Sequence, residues 1–443
     1  MLKTFRIGGI HPKENKFSAG KALESIAIPS EVVVPLAQHI GAPCQAVVKR
    51  GEEVKVGTLL GKSVGFVSAN IHSPVSGKVK RVDKAFDATG YKRDVVIIDV
   101  EGDEWEETID RTDTLVRECD LSSKEIIEKI AAAGVVGLGG ATFPTHVKLT
   151  PPPRTKAEVL IINGVECEPN VTADHILMVE KTEEILVGVQ LLMKAVNVKR
   201  AVIGIENNKP DAIKKLTQAA KSYKGIEVQS LKVRYPQGGE KQLIDAVLRR
   251  QVPSGSLPIS VGAIVQNVGT AFAVYEAVQK NKPLIEIVVT VSGRDVTNPC
   301  NVWSRVGIPL SNLIEHAGGL PENTGKVVSG GPMMGKAVVN IDIPVTKGTS
   351  GILIVPTLEA RRKQMRVCIK CGKCVSVCPM GINPTTLMTL TEYEEWDKAE
   401  KERIYDCIEC GSCNYTCPSD RPLLDYIRLG KGKVMGIMRA RKN

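Results

Sequence analysis

The chain reads as a multidomain protein of α/β and β class that ends in a cysteine-rich helical unit. Three observations predict this. Residues 32–100 are rich in Val, Gly and Pro without helical periodicity, which argues for an all-β module. From about 120 to 292, helix and strand patterns alternate, as in an α/β sheet domain. Eight of the twelve cysteines fall between 368 and 417. A length of 443 residues is too long for one core and suggests about three domains. With 43% apolar and 24% charged residues, the composition is that of an ordinary globular protein. No stretch approaches the ~20 uninterrupted apolar residues of a membrane span; runs such as Val95–Val100 are strand-sized. The opening Met1–Arg6 lacks the apolar segment of a signal peptide, so a cytosolic location is expected.

In the β module, Lys49–Gly57 followed by Ile71–Val79 resembles the lipoyl/biotinyl barrel-sandwich fold. Carriers of that fold present a modifiable lysine at a hairpin tip. The corresponding Phe66-Val67-Ser68-Ala69-Asn70 has none, so a structural or docking role is expected.

In the α/β region, Ser122-Ser123-Lys124-Glu125 is a capping box opening a helix that Gly134 ends. Strands are expected at Glu158–Asn163, Ala201–Ile205 and Glu227–Val233, with helices at Ala173–Val196, Asp211–Tyr223 and Glu240–Arg249. The loops carry the chemistry. Gly137-Leu138-Gly139-Gly140-Ala141-Thr142-Phe143 is a glycine-rich turn whose bare amides can approach a phosphate, with Lys148 adding charge. It is not the dinucleotide fingerprint, having neither G-x-G-x-x-G nor a strand directly before it. Asn163-Gly164-Val165-Glu166-Cys167-Glu168-Pro169 sets two acids beyond a strand's carboxyl end, where α/β sheets bind ligands. Plain surface acids would read the same. Gly238-Gly239-Glu240-Lys241 and Asn267-Val268-Gly269-Thr270 are two further glycine-containing loops, each just before a helix.

The cysteine segment is an internal repeat. Cys368-x2-Cys371-x2-Cys374-x3-Cys378-Pro379 recurs as Cys407-x2-Cys410-x2-Cys413-x3-Cys417-Pro418, each cysteine displaced by 39 positions. This is the run of two-cluster bacterial ferredoxins, in which the fourth cysteine ligates the other cluster. Cys368, Cys371, Cys374 and Cys417 are therefore assigned to one [4Fe–4S] cluster, and Cys407, Cys410, Cys413 and Cys378 to the second. Paired zinc sites are the alternative, but these use separated C-x2-C knuckles without a trailing Cys-Pro. Between the repeats, Pro384–Arg403 reads as one helix with Leu387, Leu390, Tyr393 and Trp396 on its core face. From Arg421 onward, seven Lys/Arg face one acid, Asp425. Such a tail is either solvated or docks an acidic partner or anionic membrane; without aromatic platforms, nucleic acid is not expected.

The four α/β loops come in the order found in the flavin-binding subunit of respiratory complex I, and they resemble the loops that hold FMN and NADH there. Two departures are Lys241, where that family has a second glutamate, and Gly137–Gly139, which lacks its arginine. Residues 293–340 resemble its soluble-ligand-binding (SLBB) β-grasp domain. With the opening Phe5-Arg6-Ile7-Gly8-Gly9-Ile10-His11-Pro12, nearly the whole chain resembles the RnfC family, the flavin–iron–sulfur component of Rnf-type ion-translocating electron-transport complexes. The flavin–iron–sulfur cobalamin reductase of microcompartments shares the architecture, and the Gly-Gly-Ile-His-Pro opening favours the Rnf type. A non-catalytic electron relay is the other alternative.

The resemblance implies five parts: a barrel-sandwich hybrid at 1–115, an FMN/NADH α/β domain at 116–292, a β-grasp domain at 293–357, a helical two-cluster ferredoxin domain at 358–430 and a basic tail at 431–443. It further implies FMN held by Gly137, Gly139, Gly140, Ala141, Asn163, Lys148, Asn267, Gly269 and Thr270, with Phe143 stacked on a ring. Glu166, Glu168 and Glu240 would line the flavin and nicotinamide pocket. The implied activity is ion-coupled electron exchange between NAD(H) and ferredoxin, with the chain peripheral on the cytoplasmic membrane face beside membrane and iron–sulfur subunits.

Overall fold

A computed structural model describes residues 2–441. In the β module, Glu31–Pro35 pairs antiparallel with Lys92–Val100, which pairs with Gly77–Phe86 and, through it, with Glu53–Val54. Gln45–Ala46, Leu59–Lys62 and Ile71–His72 make a second small sheet. The period of two in a strand buries Val32 and Val34 while Val33 stays partly exposed. These valines join Leu60, Ile71 and Ile98 in one apolar core. The barrel-sandwich architecture is thus as expected.

Much of the segment before Glu31 pairs outside this module. Lys3 bridges to Leu231, Ile10 to Tyr235, and Leu23–Ser25 runs parallel to Cys300–Arg305. The opening segment also straps the other domains. Single bridges leave no periodic pattern to read.

The α/β sheet is parallel, in the order Ile226–Leu231, Ala201–Glu206, Val159–Asn163, Ala263–Asn267. In chain order this is 3-2-1-4, so the winding reverses between the last two strands. Their carboxyl ends, where Asn163 and Asn267 are register partners, flank the crevice at which such sheets bind ligands. The capping box at Ser122 and Glu125 is formed, opening helix Ser123–Ala132. Helices Thr182–Ala195 and Val268–Gln279 approach so closely that a Cβ on Gly188 would lie 1.9 Å from the Ala271 carbonyl oxygen. The single helix expected at Ala173–Val196 is two, Ala173–Glu180 and Thr182–Ala195. At the break the Thr182 hydroxyl takes the Met178 carbonyl at 2.7 Å, competing with the backbone ladder.

The β-grasp domain is built on a six-stranded sheet: Leu23–Ser25, Cys300–Arg305, Glu286–Ser292, Gly351–Pro356, Thr324–Ser329, Lys336–Ala337. Glu286–Ser292 belongs here and not to the α/β domain, which moves that boundary ahead of 293. An apolar strand reads alike in either sheet.

In the cysteine segment, Pro384–Arg403 also divides, into Pro384–Glu392 and Trp396–Lys401. Glu394 takes a left-handed φ of +56° at the break, and Tyr393 is exposed instead of facing the core. The basic stretch from 431 is no separate tail. It continues helix Leu423–Ala440 and buries Val434; Lys442 and Asn443 lie outside the described residues. Among the described residues, no helix is long and apolar enough to cross a membrane.

Candidate electron-transfer site

The crevice is organised by a chain of short hydrogen bonds. The Gly137 N–H donates to the Phe143 carbonyl at 2.8 Å, closing the glycine-rich turn. The Leu138 N–H donates to the Thr270 hydroxyl at 2.9 Å and ties that turn to the start of helix Val268–Gln279. Asn267 caps this helix, its Oδ1 accepting from the Gly269 N–H at 2.7 Å, while its Nδ2 donates to the Asp174 carboxylate at 2.7 Å. Gly139, at φ +72°, lies so close that a Cβ would stand 2.8 Å from Asn267 Nδ2. Gly140 and Ala141 are exposed, Phe143 is half-buried, and nothing lies within 4 Å of where a Gly140 Cβ would point. A rim of bare backbone over a helix N-terminus fits a phosphate-bearing cofactor.

All three acids singled out from sequence have protein donors. Glu166, left-handed at φ +47°, accepts from the N–H groups of Asp174 and His175 at 2.7 and 3.2 Å. Such a conformation costs an L-residue roughly 1–2 kcal/mol. Glu240 accepts from Lys148 Nζ at 2.6 Å, and that ammonium also reaches the Val265 carbonyl at 2.8 Å. Glu168 is committed to the β-grasp domain, accepting from the Met333 and Met334 N–H groups at 3.1 and 2.8 Å. Asn163 Nδ2 donates to the Gly238 carbonyl at 2.9 Å. The crevice therefore gathers Gly139, Asn163, Asn267, Gly269 and Thr270, with Lys148 and Glu240 as one ion pair. Burial pushes Glu168 up to about 7, although two amides partly offset it.

Sequence reasoning missed four charged groups beneath the loops. Burial, with Glu166 adding like charge, pushes Asp174 up to about 7, and burial pushes Glu206 to about 7 against the pull of Lys209. Lys209 Nζ donates to the Val165 carbonyl at 2.7 Å. Lys16 Nζ donates to the carbonyls of Glu166, Glu168 and Val171. Asp174 could have been found as the first-turn acid of the next helix. Lys16, 150 positions from Glu166 in the chain, left no local signal.

The two cysteine runs share a backbone as well as a spacing. Lys370 and Glu409 are left-handed at φ +55° and +57°, and Gly372 and Gly411 follow at +73° and +75°. One apolar cavity is lined by Cys378 together with Cys407, Cys410 and Cys413. Burial, helped by neighbouring thiols, pushes Cys407 up to about 11 and Cys413 higher still. Cys374 and Cys417 both pack against the cluster of Met388, Cys413 and Leu423, while Cys371 is exposed. A tetrahedral zinc ion with Zn–S bonds of ~2.3 Å holds its sulfurs about 3.8 Å apart. Among the described residues, no three of these sulfurs lie within 4.8 Å of one another. The cavity with Cys378 lies against the α/β domain, because Tyr235 Oη donates to the Cys410 carbonyl at 2.8 Å and Gln242 to the Pro379 carbonyl at 3.2 Å.

One other donor group stands apart. Glu24, Cys300 and His316 bring their ligand atoms within 4.8 Å, but His316 and Glu24 bond each other directly at 2.7 Å, and burial pushes the Cys300 thiol to about 11. A hydrogen bond stitching the opening segment to helix Leu310–His316 accounts for it.

A switch-point crevice with a phosphate-type rim, wired to a twin-cysteine segment, defines a flavin- and iron–sulfur-type electron-transfer protein. Comparison with known proteins carries this further. Family models match in chain order: the RnfC barrel sandwich hybrid domain at 3–103, the Nuo51 FMN-binding domain at 130–276, the SLBB domain at 288–337 and a 4Fe-4S dicluster domain at 361–418. The RnfC-type component of the proton-translocating ferredoxin:NAD(+) oxidoreductase complex of Clostridium ljungdahlii is 46% identical, over 98% of this chain and 94% of its own. Its counterpart in the Na(+)-translocating complex of Acetobacterium woodii is 44% identical over 98% and 97%. The counterpart in the ion-translocating oxidoreductase complex of Rhodobacter capsulatus is 40% identical over 98% and 84%. The chain belongs to this RnfC family of ion-translocating ferredoxin:NAD(+) oxidoreductase complexes, and so is one component of a multi-subunit assembly.

Proposed function

We propose that the chain exchanges electrons between NAD(H) and ferredoxin through FMN and two [4Fe–4S] clusters, as a peripheral subunit on the cytoplasmic face of the membrane. Membrane and iron–sulfur subunits of the same complex would be its neighbours. A bound flavin takes the two electrons of a hydride and passes them on singly. The rim of Gly137, Gly139, Gly140 and Ala141 takes its phosphate with the Gly269–Thr270 helix start, and Lys148 supplies the cation. Asn163 and Asn267 hold the crevice walls, and Phe143 flanks the ring. Glu166 and Glu240 line the nucleotide pocket, whereas Glu168 acts by holding the Met333–Met334 turn. One cluster is held by Cys378, Cys407, Cys410 and Cys413, the other by Cys368, Cys371, Cys374 and Cys417.

The observation that carries the proposal is the contact of Tyr235 and Gln242 with the loops around Cys410 and Pro379. It makes the Cys378 cavity the inner one, next to the flavin domain. The other set, whose neighbours Val367 and Ile369 are 83% and 68% exposed, is the outer one, open to an external partner. Anaerobic reconstitution tests the reading. It predicts one FMN and about eight irons per chain, with flavin absorbance bleached by NADH. Protein that fills its clusters yet takes no flavin would leave only the relay reading.

A further inference from the structure

The segment Glu14–Ser18 carries none of the motif residues, yet it grips the acid loop at five points. The ammonium of Lys16 has three donors, and all three go to backbone oxygens of one turn: Glu166 at 3.0 Å, Glu168 at 2.8 Å and Val171 at 2.6 Å. Beside it, the Asn170 N–H donates to the Glu14 carbonyl at 2.9 Å. Ser18 Oγ and Thr172 Oγ1 share a buried hydrogen bond of 2.6 Å. Inside the gripped turn, Glu166 and Asn170 are both left-handed, at φ +47° and +66°. Conformations of this kind persist only where the surroundings hold them.

The consequence runs outward to the crevice. With its backbone curled, Glu166 turns its carboxylate onto the N–H groups that open helix Ala173–Glu180, and so places Asp174. Asp174 in turn holds Asn267 Nδ2, and Asn267 caps the helix start at Gly269 beside Gly139. Every link is a direct hydrogen bond.

We propose that Lys16 is a positioning residue of the flavin crevice, setting the geometry of Glu166, Asp174 and Asn267 through three backbone carbonyls. This rests on the reading of the crevice as the FMN site. Burial holds the Lys16 ammonium below the ordinary lysine range, with Lys209 adding to that shift, while Glu166, Glu206 and Cys167 face it and oppose it.

The test uses full-length protein with both clusters in place and its flavin removed. FMN affinity is read by quenching of flavin fluorescence, and the bound state by the visible circular dichroism of the flavin. Lys16→Met should raise the FMN dissociation constant about tenfold or more, as the loss of hydrogen bonds to a charged group implies, and should alter the flavin dichroism. The iron content and the cluster EPR should stay as in the wild type. Ser18→Ala removes a strap bond without touching the Lys16 carbonyls, so it should lower the melting temperature and leave FMN affinity unchanged. If Lys16→Met does not fold, Lys16→Gln decides, with weakened FMN binding expected in a natively folded chain. Unchanged affinity and dichroism in the folded Lys16 variant would overturn the proposal while leaving the crevice reading intact. A wild-type chain that binds no FMN would overturn the crevice reading instead.

Discussion

The Tyr235 hydroxyl donates to the Cys410 carbonyl oxygen at 2.8 Å, and both residues are buried. Tyr235 comes from the loop leading to Gly238 and Glu240, and Cys410 from the second cysteine run. Ile10 and Tyr235 exchange backbone hydrogen bonds alongside, and the Gly9 N–H donates to the Val377 carbonyl at 2.8 Å. The opening strap, the nucleotide domain and the cluster loops therefore meet at one point.

Removing Cys378 should damage the cluster of the other repeat. Because Cys378 lines the cavity of Cys407, Cys410 and Cys413, Cys378→Ala should lose about four irons and the EPR signal of that cluster while sparing its twin. Selective loss of the other signal would reverse the assignment.

The Lys148–Glu240 pair separates a binding role from a stabilising one. Both side chains are about one-third exposed, at 32% and 38%, so the pair itself stabilises the fold by about 1 kcal/mol or less. Lys148→Met should therefore leave the melting temperature nearly unchanged while weakening FMN about tenfold or more through a lost charge-assisted contact. A large melting shift with intact flavin affinity would make the pair structural.

Glu206 gives the fold a pH dependence of defined sign. Its folded pKa of about 7 lies above the ordinary 4.5 because of burial. Between those values the folded chain keeps a proton that the unfolded chain has lost, so stability falls as pH rises through that window. At ~1.4 kcal/mol per pH unit, this is a loss of about 3 kcal/mol. Glu206→Gln keeps an acceptor for the Arg234 N–H, now at 3.0 Å. It should match the wild type near pH 5 and melt about 2 °C or more higher at pH 8. Parallel melting curves across the range would contradict this.

The basic helix end predicts a salt-sensitive attachment. Lys431 is occupied by Glu409 and the Cys407 carbonyl, and Arg441 by Asp397 and Glu400, whereas Lys433 and Arg439 are exposed. Lys433→Glu with Arg439→Glu should loosen the chain from the rest of its complex at low ionic strength, where charge attraction is least screened. Unchanged attachment at low and high salt would confine these charges to solvation.

Much of this was legible in the sequence where physics acts locally. The repeat at Cys368 and Cys407, the capping box at Ser122 and the strand before Asn163 each depend on neighbours within a few positions, and each formed as read. Breaks in helices were not legible, because Thr182 and Glu394 interrupt them through a side-chain bond and a left-handed residue that leave the apolar period intact. Neither was the strap. Lys16 acts on carbonyls far along the chain, and backbone acceptors have no sequence signature. The site acids were read by type but not by partner: nothing at Glu168 announces that Met333 and Met334 hold it.

If the nucleotide crevice and the clusters are separate parts of one relay, a chain ending at Thr357 keeps the first and loses the second. This cut keeps strand Gly351–Pro356 and removes all eight cysteines of the repeats. The truncated chain should fold, bind added FMN, and have its flavin bleached by NADH. It should reduce a dye that accepts electrons from flavin, and fail with an acceptor that only the clusters reach. A truncated chain that takes up FMN but is never bleached by NADH, when the full-length protein is, would contradict the account.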